Sequence, residues 1–150
     1  MPVYLSISPL ECVGCKICML ACTAENLGVY KPTSSAIKVV RLGEGDYVTA
    51  CRNCAKAPCI DVCPTDALYR ENGVVQLSRE KCIGCGLCIV ACPFGAVAYY
   101  NGKAFKCDLC GVCIEKCPVQ KLKVTDSWDQ RKTKLWNTMI EIAGDIQLGV

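Results

Sequence analysis

Sixteen of the 150 residues are cysteine and none is histidine, so the chemistry on offer is that of sulfur. The cysteines form four groups of four with none left over: Cys12, Cys15, Cys18 and Cys22; Cys51, Cys54, Cys59 and Cys63; Cys82, Cys85, Cys88 and Cys92; Cys107, Cys110, Cys113 and Cys117. The first, third and fourth groups share the spacing C-x2-C-x2-C-x3-C, and the second widens its middle gap in CRNCAKAPCIDVCP. Three cysteines two residues apart make a loop that wraps one face of a [4Fe–4S] cube. A fourth on a following helical turn points away, toward a second cube. Zinc also takes four thiolates, but as two separated C-x2-C pairs. Disulfides require an oxidising compartment that nothing in the sequence indicates. Four [4Fe–4S] clusters are therefore the expectation, with all sixteen cysteines as iron ligands. Spacing alone does not say which fourth cysteine serves which cube.

The missing histidine excludes triads with a histidine base, Cys/His zinc fingers, haem-histidine ligation and Rieske sites. There is no apolar run of 18 residues and no basic n-region before an apolar core, so the expectation is a chain without membrane insertion or export, working in the cytoplasm. No residue stands out as a substrate acid, base or nucleophile. The expected role is that of an electron conduit with no catalytic site of its own.

The elements that must position these thiols are short. Val3 to Ser8 alternates and predicts an opening strand, and Ala36–Leu42 with Asp46–Cys51 predicts two strands around Gly43-Glu44-Gly45. Asn72-Gly73 and Asn101-Gly102, each between apolar stretches, are strong hairpin signals. Lys16 to Glu25 predicts the longest helix of the cluster region. Three groups end in Cys-Pro, at Pro64, Pro93 and Pro118, which should stop the helical turn at the fourth cysteine; the first ends in Cys22-Thr23. Ile17, Ile60, Ile83, Phe94 and Ile114, beside the ligands, are expected to exclude water or to pack as plain core. From about Asp126 the cysteines stop. Leu135, Met139, Ile142 and Ile146, with Trp128 and Trp136 nearby, predict an amphipathic helix that packs back over the clusters or docks onto a partner.

At CVGCKICMLACTAEN, CRNCAKAPCIDVCPTDAL, CIGCGLCIVACPFGAV and KCDLC with CIEKCP, the chain resembles the four-cluster ferredoxin-like electron-transfer subunits of multisubunit oxidoreductases. These are the iron–sulfur subunits of dimethyl sulfoxide reductase, formate dehydrogenase, CO dehydrogenase, hydrogenases and tungsten aldehyde oxidoreductases. The resemblance covers about residues 3 to 125. It implies an α+β fold of tandem bacterial-ferredoxin-like two-cluster domains with short hairpins, followed by the C-terminal helix. It implies an outer half of residues 1–50 and 100–125, an inner half of residues 51–99, and a docking helix at 126–150. It also implies the ligand sets: Cys12, Cys15, Cys18 with Cys117; Cys107, Cys110, Cys113 with Cys22; Cys51, Cys54, Cys59 with Cys92; and Cys82, Cys85, Cys88 with Cys63. Short linkers favour the smallest cytosolic members, which work beside a tungsten or molybdenum aldehyde or formate oxidoreductase, a CO dehydrogenase or a hydrogenase. The expected partners are such a catalytic subunit and, through the C-terminal helix, further copies of the chain in head-to-tail assembly. A freely diffusing polyferredoxin is the alternative.

The formal charge of +3 suggests no nucleic-acid partner once the cofactor is counted. An oxidised cube with four thiolates carries about −2, so four of them turn the chain into an anion of roughly −5.

Overall fold

The computed structural model of the chain describes residues 3–125; the amphipathic run expected to form a docking helix lies outside them. The elements follow in the order β1 (Tyr4–Ser6), α1 (Ile17–Leu27), a single 3₁₀ turn at Pro32–Ser34, β2 (Lys38–Leu42), β3 (Gly45–Thr49), α2 (Pro58–Asp61), β4 (Leu68–Glu71), β5 (Val74–Leu77), α3 (Leu87–Ala91), β6 (Val97–Tyr100), β7 (Lys103–Lys106), α4 (Val112–Glu115) and β8 (Lys123–Thr125). This is an α+β fold of small two-stranded antiparallel sheets and short helices, in keeping with tandem ferredoxin-like units. Among the described residues no helix is long and apolar enough to cross a membrane.

Three of the sheets are local hairpins, β2–β3, β4–β5 and β6–β7. The last two turn on the expected dipeptides. Asn72 and Asn101 (both φ 49°) and Gly73 and Gly102 (φ 80° and 72°) adopt the left-handed pair that matches the twist of the flanking strands. The fourth sheet is different in kind. β1 pairs with β8 in the register Tyr4↔Thr125, Leu5↔Val124, Ser6↔Lys123, so the two ends of the described chain close on each other.

The helices pair the same way, α1 against α4 and α2 against α3. The chain is thus nested, with the second and third cysteine groups inside the first and fourth. Two cores result. One gathers Leu5, Ile7, Met19, Ile37, Val39 and Leu122; the other is built on Ala57, Leu68, Val75 and Val97. β6–β7 belongs to both: Ala98 and Phe105 pack in the first core, Val97 and Ala104 in the second, as the two-residue period of a strand dictates.

The prolines act where expected. α3 stops at Ala91, and Cys92 before Pro93 is extended (φ −75°, ψ 114°). Without a proline, α1 runs past Cys22 to Leu27 and ends on left-handed Gly28, whose N–H meets the Ala24 carbonyl at 3.1 Å. Thr23, in the proline's place, is fully buried and donates its hydroxyl to the Leu20 carbonyl at 3.1 Å.

Hairpins cover cysteine loops. A Cβ on Gly84 would lie 2.0 Å from the Gly102 carbonyl oxygen, and Tyr99 donates to the Gly84 carbonyl at 3.0 Å, so β6–β7 lies directly on the third loop. The Arg41–Asp46 pair of β2–β3, with both bonds 2.9 Å, lies over Gly14 in the first loop. Gly73 is equally left-handed but open, with nothing within 4 Å of an added Cβ. Gly73→Ala should therefore cost only the ~1–2 kcal/mol of the left-handed conformation. Gly84→Ala should lower the melting temperature well beyond that, because the obstruction is backbone; anaerobic thermal melts of the two variants side by side measure the difference.

Candidate metal centres

The loops repeat at the level of backbone angles. In each group the residue two after the first cysteine is left-handed: Gly14 (φ 66°), Asn53 (φ 47°), Gly84 (φ 75°) and Leu109 (φ 67°). In the three regular groups the residue four after the first cysteine is left-handed as well: Lys16 (φ 60°), Gly86 (φ 77°) and Gly111 (φ 86°). The loop glycines thus occupy two equivalent positions, filled at other repeats by non-glycine residues. The widened second group loses the second of these kinks and starts α2 from Ala57 and Pro58 instead. Such turns point successive N–H groups inward, a concavity suited to an anion.

The fourth cysteines of the Cys-Pro groups share another device. Asp66, Gly95 and Gln120, each three residues after the cysteine, are left-handed (φ 51°, 57° and 50°). The turn folds the following N–H groups back onto the sulfur. The Ala96 N–H reaches Cys92 Sγ at 3.4 Å. Burial pushes the Cys63 thiol up, but the N–H groups of Leu68, Thr65 and Ala67 outweigh it and hold the thiol below its ordinary value. Cys117 is lowered in the same way, the N–H groups of Leu122, Lys121, Val119 and Gln120 outweighing burial. Further N–H groups meet sulfur from Ala104 to Cys82 and from Leu109 to Cys107, both at 3.4 Å, and the Asn26 amide reaches Cys110 at 3.6 Å. Donors aimed at sulfur stabilise the more negative, reduced state of a cluster and raise its potential.

The thiols converge across groups. Cys12, Cys15, Cys18 and Cys117 line one cavity of about 340 Å³ measured to its open mouth. Cys22, Cys107, Cys110 and Cys113 line a second, of about 310 Å³. Cys63, Cys82, Cys85 and Cys88 line a third, of about 320 Å³. Cys54 and Cys59 each sit in the field of Cys51 and Cys92. The four fourth cysteines therefore each lie with the three of another group, and the first group meets the fourth, not the second. Cys15, Cys85 and Cys110, the second cysteines of the regular loops, are exposed at the surface.

This donor set fits an iron–sulfur cluster. It is all sulfur, it recurs around cavities of like size, and N–H groups face the thiols. Among the described residues no three His, Cys, Asp or Glu side chains close in on a point where one metal ion would sit. A zinc site would draw its sulfurs to about 3.8 Å from one another, given Zn–S bonds near 2.3 Å.

The flanking apolar residues divide. Ile60 and Ile114 pack against the cores. Ile83 lines the third cavity although it is 66% exposed, whereas Ile17 and Phe94, 41% and 44% exposed, are turned outward by these short segments. The sequence also gave no warning of Asn53. It is fully buried, accepts from the Val75 N–H at 3.0 Å and donates to the Val3 carbonyl at 2.6 Å, tying the second loop to β5 and to the residue before β1. Its signal was position: it stands where the first and third loops have glycine, and asparagine tolerates left-handed backbone better than most residues.

Fold and site together define an iron–sulfur protein of the ferredoxin-like class. Residues 51–103 match the family model described as the LdpA Fe-S cluster-binding domain, and residues 9–26 and 104–120 match that of the 4Fe-4S binding domain. The putative electron transport protein YsaA of Escherichia coli (strain K12) is 35% identical over 107 residues, covering 67% of this chain and 68% of that protein. The chain belongs to this family of ferredoxin-like iron–sulfur electron-transfer proteins. The polyferredoxin-like subunit of the aliphatic sulfonate oxidoreductase of Pyrococcus furiosus is 39% identical over 94 residues, 61% of this chain and 54% of that one. The electron transport protein HydN of E. coli (strain K12) is 39% identical over 97 residues, 58% and 54% of the two chains. The chain thus spans about half the length of these two relatives. A chain of the active site complex BamBC of benzoyl coenzyme A reductase with benzoyl-CoA superposes with a TM-score of 0.45 at 19% identity, covering 99% of this chain and 93% of that one.

In the cluster-free protein, burial and neighbouring thiols push Cys18 and Cys113 up to about 12, and burial does the same to Cys107; Cys59 reaches about 11. Two outcomes follow. Loading iron must displace protons from these thiols, so reconstitution in weak buffer acidifies the solution. A thiol with a folded value above its unfolded value of about 9 favours the fold while it stays protonated. The cluster-free fold should therefore lose stability as pH rises from about 9 toward 12, which melts under reducing conditions would detect.

Proposed function

We propose that the sixteen cysteines hold four [4Fe–4S] clusters, on Cys12, Cys15, Cys18 and Cys117; Cys107, Cys110, Cys113 and Cys22; Cys51, Cys54, Cys59 and Cys92; and Cys82, Cys85, Cys88 and Cys63. The chain then relays electrons between a catalytic oxidoreductase subunit and an external carrier or neighbouring subunit. The observation that carries this reading is the gathering of each fourth cysteine with the three cysteines of a different group. Each cluster supplies a one-electron store, and the protein needs no acid or base beside it. The chain's residues supply the rest: thiolates for ligation, N–H groups for tuning, and the exposed Cys15, Cys85 and Cys110 as points of close approach for a partner's redox centre.

The two cores support a division into an outer pair and an inner pair of clusters, residues 1–50 with 100–125 and residues 51–99. As partner we favour a cytosolic tungsten or molybdenum aldehyde or formate oxidoreductase, a CO dehydrogenase or a hydrogenase. The Pyrococcus relative, named as a subunit of an oxidoreductase, supports that direction. Docking or head-to-tail assembly through residues 126–150 is part of the proposal.

Anaerobically purified protein should hold about sixteen irons per chain, four for each cube. Cys117→Ser should perturb a single cluster, the one on Cys12, Cys15 and Cys18, and leave the iron of the inner pair intact. Iron analysis and electron paramagnetic resonance after dithionite reduction check both. Iron near four per chain, or a Cys117→Ser variant that disturbs the inner pair, would sink the assignment.

A further inference from the structure

Lys106 is 4% exposed, at the end of β7 in the hairpin that both cores share. Its ammonium donates to the Cys107 carbonyl at 2.6 Å and to the Val75 carbonyl. The ion pairs among the described residues are Arg41–Asp46 and Lys121–Glu11, and neither involves it. A buried ammonium without an acidic partner is unfavourable unless some other negative charge answers it. Its two acceptors belong to the two halves: Cys107 is itself one of the outer thiols, and Val75 lies in the core against which Cys59 packs. Its charge also acts on both thiols. Around it lies one polar seam. Val75 gives its carbonyl to Lys106 and its N–H to Asn53, and Asn53 in turn holds Val3.

We propose that Lys106 is a positioning residue for electron transfer, a fixed positive charge that raises the reduction potentials of the two clusters flanking this seam, those held by Cys107 and by Cys59. The inference rests on the four-cluster reading above. Its physics is direct: reduction adds a negative charge to a cluster, and a nearby ammonium shielded from water favours the added charge. Lys106 counters the accumulation of negative charge where the two halves meet, and it keeps the crossing between them accessible to an electron. The clusters in turn supply the negative charge that the buried lysine finds on no described side chain.

The experiment compares the wild-type holoprotein with Lys106→Gln, Lys106→Arg and the surface control Lys31→Gln by redox titration followed by electron paramagnetic resonance, with iron counted in each. Glutamine keeps a hydrogen-bond donor and removes the charge; arginine keeps the charge. In Lys106→Gln two of the four clusters should require a tenfold change in the oxidised-to-reduced ratio, about 59 mV, toward lower potential. Lys106→Arg and Lys31→Gln should stay at the wild-type values. A fully loaded Lys106→Gln protein with unchanged potentials overturns the inference and leaves the four-cluster reading standing. A wild-type protein without four clusters overturns that reading first. Iron lost from Lys106→Gln but kept in Lys106→Arg supports the role of charge. Iron lost from both overturns it, since shape and not charge would then be what the site requires.

Discussion

Each thiol cavity in this chain draws on two places far apart in sequence, and that single requirement organises the molecule. Cys117 joins Cys12, Cys15 and Cys18 across about a hundred residues, and Cys22 crosses back to Cys107, Cys110 and Cys113. Neither meeting is possible unless α1 packs on α4 and β1 pairs with β8. The short strands, too small to be stable alone, gain their support from lying on cysteine loops and sharing cores with them. Secondary structure is here subordinate to the sulfur geometry, and the hairpins are best understood as covers.

The same economy governs the backbone. Left-handed residues recur at fixed offsets from the cysteines, some on glycine and some on Lys16, Asn53, Asp66, Leu109 and Gln120. A bulky residue such as Leu109 adopts that conformation only when its surroundings over-determine it. Its N–H bonded to Cys107 Sγ and its side chain packed on the first core show how that is done. Strain is tolerated because it turns donors toward sulfur.

Much of this was legible in the residues. The cysteine spacing announced the chemistry, Asn72-Gly73 and Asn101-Gly102 announced two hairpins, and Cys-Pro announced where α3 stops. What the sequence hid depends on tertiary closure. The β1–β8 pairing joins segments with no local signal for each other. Lys106 closes KAFK, a strand whose alternation would put a lysine in water, yet the strand has a core on either side and so has no solvent face there. Ile17 and Phe94 misled in the opposite direction, since their apolar character says nothing about which side of a tight loop they occupy.

The nested order of the groups also dictates a timetable. All the cysteines from Cys51 to Cys92 leave the ribosome before Cys107 does, while Cys12, Cys15, Cys18 and Cys22 must wait, incomplete, for partners made last. On the proposed cluster pairing, the inner unit can mature on the nascent chain, and the outer one can close only around it. A chain interrupted between β7 and Cys107 would carry a finished interior and four idle thiols, which makes the first group the part of the protein longest exposed to oxygen and stray metals during synthesis.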